Sequence, residues 1–383
     1  KRLGLSEEKA ELSTEIKNYL LRTDDQISAL PFIYKKLFET RALTKTDFAL
    51  PRKNGQAQLQ TAYQNWRKGH YEAVAVIGEE GSGKTSLLNL ALQPLQHKIP
   101  VRRLTLSRTL DFGQWLQQLA ETLDASEAKS FDDLGRQIAA REARMMVILD
   151  NIQHLFLRKV GGFALLKAFF RLMAQTHHYI LWVVSCGFYT WQYLDYTTGI
   201  RHYFSSEISL DKLTAKDLEH IIMQRHVTSG YKIRFVPDKK LAESRKFMKM
   251  DQNAQQGYMQ GDFFRKLSAF AQSNISLAMH LWLRSVKKLE NGELAMQYRE
   301  MDFSFLNHLS RDNILTLHNL IIHDGLSIDE HAAIFRMPRK ESELALTLLR
   351  GQGLLFSHEG MFRLNPLIYR HVIKMLYAQN FIH

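Results

Sequence analysis

Gly78-Glu79-Glu80-Gly81-Ser82-Gly83-Lys84-Thr85 follows the apolar run Ala73-Val74-Ala75-Val76-Ile77 and precedes Ser86-Leu87-Leu88-Asn89-Leu90-Ala91-Leu92. The octapeptide matches G-x-x-x-x-G-K-[ST] in full, with the strand before it and the helix after it that the pattern requires. Glycines let the backbone fold back so that successive N–H groups converge on phosphate oxygens, and the start of a helix adds a favourable dipole. Lys84 is expected to reach the β- and γ-phosphates of ATP, and Thr85 to hold a Mg²⁺ that bridges the same oxygens. A strand-turn-helix made glycine-rich for packing alone has no need of Lys-Thr at this place. The expected nucleotide-binding set is Gly78, Glu79, Glu80, Gly81, Ser82, Gly83, Lys84, Thr85 and Ser86.

Outward from this loop, short apolar runs recur at Val101 to Leu106, Met145 to Leu149 and Ile180 to Val184, the stretches between them, such as Gln114 to Leu119, carry helical spacing, and Ser206 to Leu210 reads as a last short strand. Alternating strand and helix predicts an α/β fold with a parallel sheet covered on both faces. The run at Met145 ends in Asp150, which the strand would deliver to the metal beside the phosphates. Asn151 follows it, and an amide cannot accept a proton from an attacking water. Either hydrolysis is slow and the protein works as a switch, or another group such as Gln153, His154 or Glu80 positions the water.

The whole chain sets the bounds. Its 383 residues exceed one ordinary core, and 45% apolar content suffices for several. A single cysteine, Cys186, excludes a disulfide framework and points to a reducing, cytoplasmic setting. No apolar run is long enough for a bilayer span. The chain opens at Lys1, as a piece cut from a longer polypeptide would. Four units are expected: a helical leader over 1–60, with helical spacing at Leu12 to Leu21 and Ile33 to Leu37; the nucleotide-binding unit over 61–210; a helical lid over 211–300; and a last unit over 301–383. In the lid, Phe263 to Leu289 reads as helix with a break at Ser273-Asn274. In the last unit, three helices precede a hairpin of Leu354 to Phe356 and Phe362 to Leu364, the outline of a winged helix-turn-helix, and Ile368 to Tyr377 gives a final helix.

With these residues the chain resembles the P-loop ATPases of the AAA+ and STAND groups, including origin-recognition and transposition-regulator ATPases. The resemblance implies a sheet of strand order 5-1-4-3-2, a helical lid, a C-terminal winged helix, ATP or ADP with Mg²⁺ as ligands, and a homo-oligomer or a protein partner under nucleotide control. It places Ser185 as a polar sensor of the γ-phosphate, and Arg201, just before the fifth strand, as an arginine finger reaching a neighbouring subunit. Leu50-Pro51-Arg52-Lys53 resembles a segment that touches the adenine side. Ser273-Asn274-Ile275-Ser276 resembles the entry of the lid helix, but Ser276 stands where a phosphate-sensing arginine is expected, and Arg284, two turns on, reads as surface.

Charge decides how a DNA partner should be sought. Lys+Arg number 51 against 39 Asp+Glu, a formal +12. Yet residues 301–383 carry eight of each, and the expected recognition helix opens with the self-cancelling Arg339-Lys340-Glu341-Ser342-Glu343. The excess lies in 232–249, where Lys232, Arg234, Lys239, Lys240, Arg245, Lys246 and Lys249 face only Asp238 and Glu243. That segment reads as a flexible arm on phosphate backbones, a contact for an acidic protein, or a solvated insertion. The histidines lack metal-ligand spacing, so no metal beyond nucleotide-bound Mg²⁺ is expected.

Overall fold

The computed structural model describes residues 27–44, 48–49, 52–298 and 303–382. The helical spacing at Leu12 to Leu21 and the Leu50-Pro51 dipeptide lie outside the described residues. Strands β1 (Ala73–Ile77), β2 (Val101–Thr105), β3 (Met145–Asp150), β4 (Ile180–Cys186) and β5 (Ser206–Ser209) form one parallel sheet in the order β2-β3-β4-β1-β5, the expected order counted from the other edge. Ile77 lies opposite Cys186, and Thr105 opposite Asp150, so the carboxyl ends of the strands share one edge. Ligands of open α/β sheets bind outside that edge.

Alternate residues of the central strands serve two cores. Ala75, Ile77, Val147, Leu149 and Val184 face α4 (Phe112–Thr122), α5 (Phe131–Arg141), α6 (Ala164–Thr176) and α7 (Phe188–Thr198). Val74, Val76, Met146, Ile148 and Val183 face α2 (Lys53–Arg67) and α3 (Lys84–Leu92). Each fully buried aliphatic side chain contributes about 1.5–3 kcal/mol, so the sheet holds the loop at its edge on a rigid base. Helix α2 starts at Lys53, inside what reads from sequence as the leader. Gly55 brings it close to α3 and to β5, since a Cβ there would approach Leu87 Cδ2 to 2.9 Å and Ile208 Cγ2 to 3.2 Å.

Residues 211–298 are not wholly helical, which corrects the expectation of a helical lid. Helices α8 (Ala215–Thr228), the single turns α9 (Lys239–Ala242) and α10 (Arg245–Met248), α11 (Gln252–Ala271) and α12 (Ile275–Arg284) carry a three-stranded sheet, β6 (Lys232–Phe235), β8 (Glu293–Met296) and β7 (Val286–Glu290). The helix expected to run on to Leu289 stops at Arg284, and Asn291-Gly292, both at positive φ, turns β7 back into β8. The polar-apolar alternation of Lys232-Ile233-Arg234-Phe235 is the signal that the basic content concealed. Helix α1 (Phe32–Leu37) supplies Tyr34 to this core, where Trp282 Nε1 donates to its hydroxyl at 2.9 Å.

The C-terminal unit contains the three expected helices, α13 (Arg311–His323), α14 (Ile328–Phe335) and α15 (Arg339–Gly351), then the hairpin β10 (Leu355–His358) and β11 (Met361–Leu364), and α16 (Tyr369–Ala378). Glu359 and Gly360 turn the hairpin at φ +50 and +79, as a two-residue turn with two left-handed positions demands. Strand β9 (Leu326–Ser327) completes a sheet in the order β10-β11-β9. This unit packs on the nucleotide-binding unit: Leu157 and Tyr189 enter its core, and Thr190 donates to Ile322 O. Among the described residues no helix is long and apolar enough to cross a membrane.

Candidate nucleotide site

The phosphate loop joins β1 to α3 through two left-handed glycines, Gly81 at φ +74 and Gly83 at φ +100. Side chains avoid that conformation, so the loop depends on them. Ser82 donates its N–H and its hydroxyl to Glu79 O at 3.2 and 2.6 Å, and Gly78 N–H donates to Cys186 O at 3.3 Å. The first N–H groups of α3 have no acceptor within the helix, as at every helix start, and they open into the cleft with the positive end of the dipole. Lys84 is buried, and its ammonium donates to Gly78 O and Glu79 O at 2.8 and 2.9 Å. Burial lowers its pKa, while the charges of Asp324, Glu80 and Asp150 work against that shift.

Asp150 is 2% exposed at the end of β3. Its Oδ1 accepts the Ser185 hydroxyl at 2.6 Å, and its Oδ2 accepts Arg103 Nε at 3.0 Å and pairs with the Arg103 terminal nitrogen. Arg103, on the neighbouring strand β2, also donates to Asn89 Oδ1 at 2.5 Å. Asn151 follows at φ +66, donates its N–H to Ser185 Oγ at 3.0 Å and its amide to Leu106 O at 3.2 Å, and borders the cleft. Ser185 therefore spends its hydroxyl on Asp150. The donors suit a divalent cation arriving with a nucleotide: a Thr85 hydroxyl in the cleft and a carboxylate at the strand end. Arg103 competes with such a cation for the Asp150 carboxylate. Among the described residues no group of three His, Cys, Asp or Glu side chains stands together as a metal site.

The cleft beside the loop encloses about 280 Å³. Leu43, Phe48, Ile221, Ile275 and Met279 give it apolar walls suited to a planar base, and the buried Arg225 guanidinium lies 4.9 Å from the Phe48 ring centroid. Residues 43–44 are strapped along α3, where Leu43 N–H donates to Ser86 Oγ at 3.0 Å and Asn89 and Gln93 donate to Leu43 O and Thr44 O. Arg52 is buried against the loop, donating to Ser82 O at 2.9 Å and Asp211 O at 2.8 Å. Sequence reading found Arg52 and missed the other walls, which carry no motif.

The C-terminal unit closes the opposite side. Arg370 on α16 holds Glu79, and Arg363 on β11 lies 3.3 Å from Glu80. Asp324, at the end of α13, sits by Glu80 and Arg363, and burial foremost, then the Glu80 carboxylate, push its pKa well above the ordinary range. A second cavity of about 500 Å³ extends past Lys84 between the loop, α12 and this unit. The lid helix touches the loop directly: Ser276 N–H donates to Gly81 O at 3.1 Å, and Asn274 Nδ2 to Glu80 O at 2.7 Å. A Cβ on Gly81 would lie 2.5 Å from Ser276 Cβ.

The fold thus brings Gly78 to Ser86, Asp150, Asn151 and Ser185 to one strand edge. Arg201 stands apart, half-exposed and paired with Asp195 and Glu207 at 3.4 and 3.1 Å. Arg284, expected at the surface, is buried and borders the second cavity, because the C-terminal unit covers this end of α12.

Comparison with known proteins follows this geometry. The family model described as an AAA domain matches residues 67–189. No curated protein matches the chain. Similar solved structures include Cdc6p of Pyrobaculum aerophilum, 14% identical with a TM-score of 0.46 over 90% of this chain and 98% of that one. The ORC2 protein of Aeropyrum pernix in its ADP form is 11% identical, with a TM-score of 0.47 over 90% and 98% of the two chains. The Walker-type ATPase paby2304 of Pyrococcus abyssi is 13% identical, with a TM-score of 0.44 over 88% and 99%. The stretch matched as an AAA domain runs through β1 to β4, and so takes in the phosphate loop, Asp150 and Ser185.

Proposed function

We propose that this chain is an ATP-dependent switch of the AAA+ and STAND kind, in which nucleotide bound at Gly78 to Ser86 sets the position of a C-terminal winged-helix unit and so controls a protein partner or an assembly. One observation carries the reading: three successive loop residues are each held by another part of the chain, Glu79 by Arg370, Glu80 by Arg363 and Gly81 by Ser276. Whatever binds the loop must act on those contacts. A switch needs only unequal affinities of ATP and ADP for two arrangements, and about 1.4 kcal/mol gives a tenfold bias.

In this reading the loop amides and Lys84 bind the phosphates, and the apolar walls take the base. Mg²⁺, held by Thr85 and Asp150, would neutralise phosphate charge. Asn151 offers no base to an attacking water, which favours slow hydrolysis and a long-lived ATP state. Arg201 would serve a homo-oligomer by leaving Asp195 and Glu207 for a neighbour's nucleotide.

Hydrogen exchange over 359–378, with ATP, ADP and neither, tests the switch. ATP and ADP should protect these backbone amides to different extents, and Lys84→Ala should erase the difference. Identical protection in all three states overturns it. Phosphate release by Asn151→Glu, rising well above the parent's rate, would support the role given to Asn151.

One observation favours a second reading, in which the chain also binds DNA. Lys239, Lys240, Arg245, Lys246 and Lys249 are exposed on α9 and α10 with no acidic partner among the described residues, while Phe247 anchors α10 in the core beneath them. They lie on a ridge of folded turns rather than on a flexible arm, one of the three readings the sequence leaves open. In this reading DNA phosphates lie on that ridge, and the neutral winged helix contacts protein.

A further inference from the structure

We propose that Arg363 is the residue that tells ATP from ADP, a contact to the γ-phosphate supplied within one chain by the C-terminal unit. The proposal rests on the nucleotide reading above and goes beyond it in naming the group that senses the terminal phosphate.

Placement carries the argument. The base-side cleft and the second cavity adjoin at Lys84, and both are bordered by Glu80, Gly81, Lys84, Asp324 and Arg363. Leu43, Phe48, Arg52, Ile221 and Met279 border only the first. A nucleotide with its base against those walls therefore directs its phosphate tail past Lys84, and its last phosphate toward Arg363. Among the described arginines, only Arg363 borders both cavities.

Several other cations near the cleft are committed, among them Arg225, which donates to Ile221 O at 3.0 Å. Arg370 is bound twice by Glu79, Arg103 is held by Asp150, and Arg52 is spent on two backbone carbonyls. Arg41 pairs with Glu39 on the base side, and Arg201 lies outside the cleft. At the loop the lid presents Ser276, and its Arg284 borders the second cavity alone. Arg363 has one ion pair, to Glu80, at 3.3 Å. A single exposed pair of that length is worth little, whereas a planar guanidinium matches phosphate oxygens with two parallel hydrogen bonds. Its stem is nonetheless fixed: Gly325, at φ +117, lets it pack so closely that a Cβ there would lie 2.8 Å from Arg363 Cγ. The head can exchange partners while the hairpin stays in place beneath it.

An incoming triphosphate adds negative charge beside Glu80 and draws Arg363 from that carboxylate to the phosphate. A diphosphate ends short of it. The exchange acts on β11, so the C-terminal unit registers which nucleotide is bound.

Calorimetric titration with ADP and with a non-hydrolysable ATP analogue, both with Mg²⁺, tests this on the full chain, its Arg363→Ala and Arg363→Lys variants, and Arg350→Ala. Arg350 donates to Ser357 on the same hairpin at 3.0 Å and borders neither cavity, so its variant reports general loosening. The parent should prefer the analogue. Arg363→Ala should lose about tenfold or more of its affinity for the analogue, the worth of a hydrogen bond to a charged group, with ADP binding little changed. Lysine should restore part of the loss, and Arg350→Ala should keep the preference. The proposal is overturned if Arg363→Ala keeps the parent's ratio, if it loses both ligands equally, or if Arg350→Ala matches it. A parent that binds both ligands equally sinks this proposal alone. A parent that binds neither sinks the nucleotide reading with it.

Discussion

Arg370 grips the Glu79 carboxylate with both terminal nitrogens, at 2.6 and 2.5 Å, and one of the two also donates to Ala271 O at 2.8 Å. One guanidinium on α16 thereby ties the phosphate loop to the end of the lid helix α11. The pair is almost fully enclosed, with side chains 4% and 16% exposed.

Loss of either partner strands a charge away from water. Arg370→Ala should therefore lower the stability of the assembled units by about 3–5 kcal/mol, read as a lower urea midpoint. Combining it with Glu79→Ala should cost much less than the sum of the single changes, since the second removes the stranded group. Strict additivity would mean the two do not act as a pair.

Arg103 is the cation paired with Asp150. Arg103→Ala leaves the buried Asp150 carboxylate without its cation, so the protein without nucleotide should melt lower. Mg²⁺ with ATP should then stabilise the variant more than it stabilises the parent, because the metal replaces the lost charge. An equal thermal shift in both would remove Asp150 from the metal's surroundings.

Five buried histidines set a pH dependence, among them His226, whose pKa burial also lowers. Burial lowers the pKa of His154, His318 and His331 to about 4, and that of His323 to about 3. In the unfolded chain each titrates near 6.5, so below that pH the unfolded chain binds protons that the folded chain refuses. Their contribution is whole above about 6.5 and drains away toward pH 4, at up to roughly 1 kcal/mol per pH unit for each histidine. Asp324, with its raised pKa, works in the opposite sense. Urea midpoints should fall between pH 7 and pH 5, and a flat profile would contradict the assignment.

The basic ridge makes a salt-dependence prediction. If Lys239, Lys240, Arg245, Lys246 and Lys249 meet DNA phosphates, log affinity should fall with log salt with a slope of about −0.9 for each phosphate neutralised. Alanine at Lys239, Lys240, Lys246 and Lys249 should flatten that slope. Absence of duplex binding at low salt would end the DNA reading and leave an acidic protein as the ridge's partner.

The sheet was legible because β1, β3 and β4 are short apolar runs whose ends carry Gly78, Asp150 and Ser185, and because the phosphate loop fixes which edge is functional. The C-terminal helices and hairpin were legible for a similar reason, since caps and turns such as Ser327 with Glu330 and Glu359-Gly360 act locally. The lid sheet was hidden: Lys232 to Phe235 alternates, but its lysine and arginine read as part of a basic stretch, an arm, a protein contact or a solvated insertion. Contacts between distant parts left no trace in the sequence. Nothing local marks Arg103 as the partner of Asp150, Phe48 as a cleft wall, or Arg363 and Arg370 as holders of the two loop glutamates. Those pairings span from 47 to 291 residues and exist only once the units are packed.

Isothermal titration of the intact chain with Mg²⁺-ATP and Mg²⁺-ADP, set beside Lys84→Ala, tests the central claim most directly. The account predicts saturable, one-to-one heats for the parent and their loss in the variant. No heat from the parent at millimolar nucleotide, or an unaltered isotherm for Lys84→Ala, would contradict it.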